Sequence, residues 1–504
     1  MFCKLISSCL NGLESIEVNV EVDICDGLPS FEIVGLPDSA VRESKERVKS
    51  AIKNSGFNFP IKRITINLAP ADLKKEGSLY DLPIALGILG CIGAIPPSAL
   101  KNRIFLGELA LDGALRHASG IIPIIYSENQ VDVTYILPMA NALELQMAHE
   151  QSIIYCNTLL EVVHYLNEET LPKQPLTTHN LPASPINYPD YKDVKGQEHI
   201  KRGLMIAAAG HHHTLLIGPP GCGKTMVAKR LPGICPPLCT KEQRELTKIY
   251  SLAKYSNMPL PISTRPFRSP HHTITIQGLS GGGAHPKPGE LSLSHLGVLF
   301  LDELLEFNKK VLETMRQPLE DGTITISRLN QQITFPAQFL FITATNPCPC
   351  GYYPNSQKCH CDLSTIRRYL SKLSGPLLDR IDLHLEMHPI TFYAFKEETC
   401  LSTNDMRTRV SAALQTQKDR LAPIGLSYNA EIPSHLITTY CTLTVEAELL
   451  LKEWFASMGA SARSYNRILK LARTIADLDG KDIIDEDSMS EALGYRLLDR
   501  RFWA

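Results

Sequence analysis

The stretch TLLIGPPGCGKTMVAKR (214–230) decides the fold. A short apolar strand, Leu215–Ile217, runs into Gly218-Pro219-Pro220-Gly221-Cys222-Gly223-Lys224-Thr225, and an apolar-periodic helix follows from Met226. This is G-x-x-x-x-G-K-T in the strand–loop–helix setting that gives the pattern its meaning. Its glycines let backbone N–H groups curl around a phosphate with no Cβ in the way, and the helix start adds partial positive charge. Gly218 through Met226 are therefore expected to cradle ATP. Lys224 should reach the β- and γ-phosphates, and Thr225 should ligate Mg²⁺.

Two further apolar runs extend the pattern. GVLFLDEL (297–304) ends in paired carboxylates. A buried parallel strand carries such a run, and its C-terminal end opens onto a ligand crevice. Asp302 is placed to hold Mg²⁺ through water, and Glu303 to polarise the attacking water. QFLFITAT (338–345) is a third strand and delivers Asn346, whose amide is expected to orient that water. Phosphoryl transfer is mostly positioning and charge stabilisation, so a cation from outside the loop is expected. Arg380, in SGPLLDRID (374–382), is the first candidate; Arg463 and its alternative Arg467 open a later helix.

Around this core the chain divides. Its 504 residues suggest about three domains at roughly 100–200 residues each. LPKQPLTTHNLPASPINYP (171–189) carries five prolines and reads as an extended linker. Before it, residues 1–170 mix strands (Ser15–Ile24, Ile61–Asn67) with an amphipathic helix (Ser39–Ser55). After it come an α/β block over 190–392 and a helical block over 393–504, clearest at Val445–Phe455 and Ser464–Asp477.

Composition bounds the function. With 51 basic and 53 acidic side chains, a net charge of −2, and 44% hydrophobic residues, the chain is neither disordered nor a basic nucleic-acid coat. The longest apolar stretch, Leu82 to Leu100, is broken by Pro83, Pro96 and Pro97, so no membrane span is expected. The beginning of the sequence shows no secretion signal; the chain is expected in the cytoplasm with its 14 cysteines reduced.

Four of those cysteines cluster: Cys348, Cys350, Cys359 and Cys361, as C-x-C…C-x-C. Four thiolates satisfy a tetrahedral, structural Zn²⁺. The C-x-C spacing is tighter than the usual C-x₂₋₄-C, which leaves reduced loop thiols as the other reading. In GHHHTLLIG (210–218), three adjacent histidines cannot all face one metal.

RPFRSPHHT (265–273), GGGAHPKPGELSLSHLGVLFLDEL (281–304), NPCPCG (346–351), SGPLLDRIDLHLE (374–386) and ARSYNRILKLARTIADL (462–478) resemble the magnesium-chelatase-like AAA+ ATPases. Within them, GLPDSAVRESKERVKSAI (35–52) and ITINLAPADLKKEGSLYDLPIAL (64–86) resemble the ComM/YifB group. The resemblance implies an α/β fold with three parts: a Lon-protease-like (ribosomal S5-type) N-terminal domain, a P-loop parallel-sheet domain and a helical lid. It implies a ring, a hexamer, that hydrolyses ATP and drives DNA branch migration in natural transformation. Asn346 then sits at the sensor position of the superfamily, Arg380 at a finger supplied to a neighbouring subunit, and Arg463 at the lid-borne sensor. A Lon-type Ser–Lys dyad is absent. Asp81 stands where the serine would be, and no lysine follows the glycines of GELALDGALRHASGII (107–122), so this domain is expected to be non-proteolytic.

Two loops are expected to face DNA in the ring channel by the same resemblance. Thr273–Glu290 begins as a strand and ends in a glycine-rich loop tipped by His285 and Lys287. Thr323–Phe335 alternates on both sides of Arg328–Gln331 as a β-hairpin. Lys287 and Arg328 would contact phosphates; no aromatic platform accompanies them, so binding is expected to be sequence-independent. A basic helix (Arg42, Lys45, Arg47, Lys49, Lys53) is a second patch, interrupted by Glu43 and Glu46 and equally readable as a solvated face. The rival functions are a chelatase motor subunit, an ATP-dependent protease and a protein-remodelling chaperone.

Overall fold

The computed structural model describes residues 1–127, 133–146, 148, 151–175, 188–253, 260–283, 286–328, 331–355, 357–389, 392, 401–458 and 461–503. They form two compact units, Met1–Ser184 with Thr240–Ser263, and Pro185–Cys239 with Thr264–Ala504. Most of the proline-rich linker lies outside the described residues.

The first unit is built on a seven-stranded mixed sheet. Phe2–Asn11 and Glu14–Cys25 pair antiparallel along their whole length, and Glu14–Cys25 pairs antiparallel with Arg63–Ala69. The remaining neighbours are parallel, with Ser30–Val34 at one edge and Ser152–Cys156 at the other. The alternation of Glu14–Cys25 puts Val18, Val20, Val22 and Ile24 into the core. Helix Ser39–Asn54 starts where the Asp38 side chain accepts the Val41 N–H at 2.8 Å. Its stripe of Val41, Val48, Ala51 and Ile52 is buried. The segment 240–263 was expected inside the α/β block. Instead helix Thr240–Ala253 buries Leu246, Ile249 and Tyr250 in this unit, and Leu260 packs on its core.

The second unit carries a five-stranded sheet whose strands all run parallel. Across the sheet the order is Phe267–Arg268, Val298–Leu301, Leu340–Thr345, Thr214–Ile217, Leu383–Glu386. The first strand in the chain thus lies between the fourth and the fifth. That reversal of order is a topological switch point, where ligands bind at the carboxyl ends of the strands. The central strands are buried on both faces, as their unbroken apolar sequences require. Helix Glu198–Gly210 lies close to the sheet: a Cβ on Gly203 would stand 2.7 Å from the Leu385 side chain. Helices Thr403–Leu421, Val445–Met458, Ala462–Leu478 and Glu486–Gly494 complete the unit around Ile468, Leu471, Ile475 and Met489.

One local expectation is corrected. The Thr273–Glu290 insert does not begin as a strand, although Thr273–Ile276 is β-branched throughout. The Thr275 hydroxyl accepts the Gly278 N–H at 3.0 Å and caps a short helix, Ile276–Ser280. A two-residue antiparallel ladder then pairs Gly281–Gly282 with Lys287–Pro288. The second hairpin has the expected register, with Arg328 opposite Gln331. Among the described residues no helix is long and apolar enough to cross a membrane.

Candidate functional site

The carboxyl ends of the central strands gather the residues read as the nucleotide site. Gly221 and Gly223 have φ of +77° and +91°, conformations that favour glycine. A Cβ on Gly218 would meet the Met387 carbonyl oxygen at 2.6 Å, so only glycine fits there. Lys224 opens helix Lys224–Ala228. Its ammonium donates to the carbonyls of Gly218 (2.7 Å) and Pro219 (3.0 Å) and to Asn346 Oδ1 (3.0 Å). Burial holds that ammonium below its ordinary pKa, against the pull of Cys222, Asp302 and Glu303. Thr225 donates its hydroxyl to Asp302 Oδ2 at 2.6 Å. Three strands thus bring Lys224, Thr225, Asp302 and Asn346 into one bonded group. Met226 is on the following turn and is exposed.

The open, glycine-lined loop with a cation and a hydroxyl–carboxylate pair at its mouth fits a nucleoside triphosphate with Mg²⁺. Glu303 sits beside the group in the left-handed region (φ +52°), unusual for a side chain of this size. His272 Nδ1 lies 3.7 Å from Glu303 Oε2, and the His271 and His272 rings are 4.0 Å apart. Sequence reading missed His272 because its partner is 31 residues away and nothing local marks the pair.

The four cysteines converge. Their sulfur atoms all lie within 4.8 Å of one another; Cys348 is 3.3 Å from Cys350 and 3.8 Å from Cys359, and Cys350 is 3.6 Å from Cys359. A tetrahedral zinc with Zn–S bonds of about 2.3 Å needs sulfurs about 3.8 Å apart, so the donor set fits that ion. His360 is exposed and outside the cluster. The loop also touches the nucleotide site: a Cβ on Gly351 (φ +85°) would stand 2.6 Å from Pro220 Cδ.

Arg380, Arg463 and Arg467 do not join the P-loop group. They gather at the opposite edge of the sheet, around a cavity of about 300 Å³ lined by His211, His213, Glu320, Arg380, Arg467 and Lys470 among others. His213 precedes strand Thr214–Ile217 and Gly218 follows it, five residues on. At roughly 3.3 Å per residue the two edges are about 16 Å apart. Arg380 is nearly buried and ion-pairs through Nη2 with Glu320 Oε2; its Nη1 donates to the Pro376 carbonyl at 2.7 Å, and its Nε has no partner among the described residues. Arg463 reaches the other oxygen of Glu320 at 3.6 Å and is largely exposed. Arg467 is 3.6 Å from Asp382, and its Nη1 is buried without a partner among the described residues. The third arginine of this helix, Arg473, is fully buried, donating to Asp477 (2.9 Å) and to the Asp482 carbonyl (2.6 Å). The i, i+4 spacing puts Arg463 and Arg467 on one face, and Arg473, six residues further, on another.

The triple histidine is divided by this packing. His212 points inward and bridges Asp382 (3.0 Å) and Thr474 (2.8 Å). His213 accepts the Phe341 N–H at 3.2 Å, and His211 stacks near Tyr428. Burial lowers the pKa of both His211 and His213, although each keeps part of its ring open to the cavity. The Asp382 carboxyl is held below its ordinary range despite burial, by His212, Arg467 and His213.

In the first unit Asp81 begins helix Asp81–Cys91, fully buried, and accepts from Arg47 Nε (2.7 Å), Arg47 Nη2 (3.0 Å) and the Leu109 N–H (3.2 Å). Burial raises its pKa to about 6; the carboxylate in turn raises that of Arg47. Burial dominates because the carboxylate is enclosed while Arg47 stays 22% exposed. An ion-paired carboxylate here is a structural brace and no nucleophile. Lys75, also buried, donates to the Pro70 and Leu73 carbonyls. Lys287 is exposed; the Arg328 side chain and His285 lie outside the described residues.

Three family models match in succession: Subunit ChlI of Mg-chelatase over 20–141, Magnesium chelatase, subunit ChlI, over 190–394, and Magnesium chelatase, subunit ChlI C-terminal, over 401–496. The chain is 42% identical to Competence protein ComM of Haemophilus influenzae, over 97% of this chain and 96% of that protein. It is 42% identical to protein YifB of Salmonella typhimurium over the same shares. A more distant match, 21% identical over 60% of this chain and 41% of the relative, is DNA replication licensing factor MCM7 of Arabidopsis thaliana. This kinship implies an AAA+ motor that uses ATP and Mg²⁺. The chain belongs to the magnesium-chelatase-like AAA+ family, in its ComM/YifB group.

Proposed function

We propose that this chain is one subunit of a ring, a hexamer, that hydrolyses ATP between subunits and uses it to branch-migrate DNA during natural transformation. One observation carries the reading: the phosphate cradle and the group of Arg380, Arg463 and Arg467, held by Glu320 and Asp382, stand at opposite edges of one sheet, so the cradle draws none of these three cations from its own chain. When bound, ATP supplies the reacting phosphoanhydride and Mg²⁺ the charge that neutralises it.

The residues then divide the work. Lys224 exchanges loop carbonyls for β- and γ-phosphate oxygens. Thr225 would ligate Mg²⁺ when it is bound, and Asp302, which accepts the Thr225 hydroxyl, would hold the ion through water. Glu303 orients and polarises a water, with Asn346 fixing its position. Arg380 is presented to the next subunit's γ-phosphate, with Arg463 and Arg467 on the lid helix beside it. A cation of this kind contributes about 10³–10⁵ in rate. The Cys348–Cys361 cluster holds zinc and braces the loop that packs on Pro220.

The DNA part rests on the similarity to a competence protein and a replication licensing factor, and on the two hairpins carrying Lys287 and Arg328. With a net charge of −2, binding must come from a few cations repeated around an assembly. The test is the ATPase rate with and without branched, single-stranded and duplex DNA. Stimulation, strongest on branched DNA and lost in the Lys287→Ala/Arg328→Ala variant while basal hydrolysis persists, supports the reading. The names of the three family models favour a second reading, a chelatase motor subunit. No DNA stimulation, with stimulation by porphyrin-loaded partner subunits, would replace the first by the second.

A further inference from the structure

A groove of about 880 Å³ runs along the first unit, between helix Ser39–Asn54 and the edge strand Ser30–Val34 with the segment 56–62. One wall is cationic. Lys45, Lys49 and Lys53 line it at i, i+4 and i+8 of the helix, on one face and about 6 Å apart along the axis. Lys45 and Lys49 are half-buried, their stems lying along the wall, and Lys53 is exposed. Lys62 adds a fourth lysine, paired with Asp26 at 2.9 Å. Glu46 is the acid of the lining.

The other wall is aromatic. Phe31, Phe57 and Phe59, three of the fifteen phenylalanines of the chain, meet there. Each packs partly on the core and leaves the rest of its ring to the groove. The Phe31 and Phe59 centroids are 6.0 Å apart at 38°. Ile61, 84% exposed, extends the apolar surface. The sequence separates Phe31 from the other two by 26 residues; only the parallel pairing of Ser30–Val34 with Arg63–Ala69 brings them together.

We propose that this groove binds single-stranded nucleic acid, with phosphates along the Lys45–Lys49–Lys53 row and bases against the phenylalanine rings. The Lys45–Lys49–Lys53 row against one glutamate selects a polyanion, Lys62 being held by Asp26. The rings select one whose flat faces are accessible, which stacked duplex bases do not offer. An acidic peptide would use the lysines and leave the rings idle. The site deepens the DNA-motor reading and rests on it for its biological meaning. It gives the first unit a strand-capturing role separate from the channel hairpins.

The test uses the full chain without nucleotide and a fluorescent oligothymidylate, read by anisotropy. The Lys45→Glu/Lys49→Glu/Lys53→Glu variant should bind at least about tenfold more weakly, with a shallower salt dependence and unchanged basal ATPase. Phe57→Leu should lose about fivefold or more on the oligothymidylate and nothing on duplex DNA of the same length. Should that ring prove necessary for folding, photo-crosslinking of the oligonucleotide to Phe31, Phe57 or Phe59 in the unaltered protein gives the same answer. The Lys287→Ala/Arg328→Ala variant should keep this binding. Wild-type affinity in the lysine variant at an unchanged melting temperature overturns the site, as does displacement of the oligonucleotide by polyglutamate of equal charge. DNA-stimulated ATPase with an inert groove would leave the motor and remove the groove. Groove binding without any DNA stimulation would do the reverse.

Discussion

The two edges of the five-stranded sheet are opposites. At the carboxyl edge, Lys224 is hydrogen-bonded to Asn346 (3.0 Å) and Thr225 to Asp302 (2.6 Å), and the loop glycines leave room for a triphosphate. At the amino edge, Arg380 and Arg467, though paired with Glu320 and Asp382, each keep one buried nitrogen without a hydrogen-bond partner among the described residues, and Arg463 is largely exposed. The first edge is a glycine-lined cradle around Lys224; the second is a cluster of arginines held by Glu320 and Asp382. Buried guanidinium nitrogens left unpaired are costly, and an edge that tolerates them is built to receive something. Within one chain the two groups stand about 16 Å apart by strand length, and on the proposed reading it is assembly that joins them.

The comparison breaks most readily at its strongest point. Lys224→Ala should abolish ATP binding and hydrolysis together, because the ammonium is the hub of the cradle. Glu303→Gln should abolish hydrolysis and keep binding, since Glu303 stands outside the bonded group. Nucleotide retention on filters separates the two outcomes, and wild-type hydrolysis by Glu303→Gln would remove its role. Arg380→Ala should lower kcat by about 10³ or more at unchanged nucleotide affinity, as measured by steady-state ATPase and fluorescent-nucleotide titration. A loss of affinity instead would place Arg380 at its own chain's nucleotide.

Smaller effects sharpen the contrast. Metal-replete protein should hold one zinc per chain by elemental analysis, and Cys348→Ser/Cys361→Ser should lower the melting temperature by about 5 °C or more. Nucleotide affinity should fall less, because the cluster braces the carboxyl edge from outside the cradle. Freely titratable thiols and no metal would reduce the cluster to loop cysteines. The amino edge should be the acid-labile one. His211 and His213 resist protonation in the folded chain and accept it at about pH 6.5 when unfolded. The unfolded state therefore binds more protons below that pH, and stability falls as pH drops from about 6.5 towards 4. Both rings are partly open, so about 1 kcal/mol is expected, and His211→Gln/His213→Gln should flatten that slope in urea titrations.

How much of this was legible in the sequence follows from contact distance along the chain. The cradle was readable because Gly218–Thr225 is contiguous and each partner ends its own apolar run. The cysteine cluster was readable as ligands within fourteen residues, although its packing on Pro220 was not. The amino edge was hidden. Glu320 and Arg380 are 60 residues apart, His212 and Thr474 are 262 apart, and no periodicity links them. Arg463 and Arg467 of one helix stood as alternatives in the sequence until the fold put Arg467 beside Asp382 and left Arg463 largely exposed. Helix Thr240–Ala253 was not singled out in the sequence, and its place in the first unit was hidden, since an apolar stripe does not name the core it joins. The TITI run of 273–276 favoured a strand, and one capping hydroxyl reversed it.

The central claim is that the two half-sites combine across subunits. Arg380→Ala chains retain an intact cradle, and Lys224→Ala chains retain an intact Arg380, while each alone should be nearly inactive. Mixed in equal amounts and assembled together, they form interfaces where the cradle of one meets the arginine of the other. The ATPase rate of such mixed rings, with co-assembly verified by differently tagged chains, is the direct measurement. Recovery of a substantial fraction of wild-type hydrolysis is the predicted result. No recovery at any mixing ratio, in rings shown to contain both chains, would contradict it.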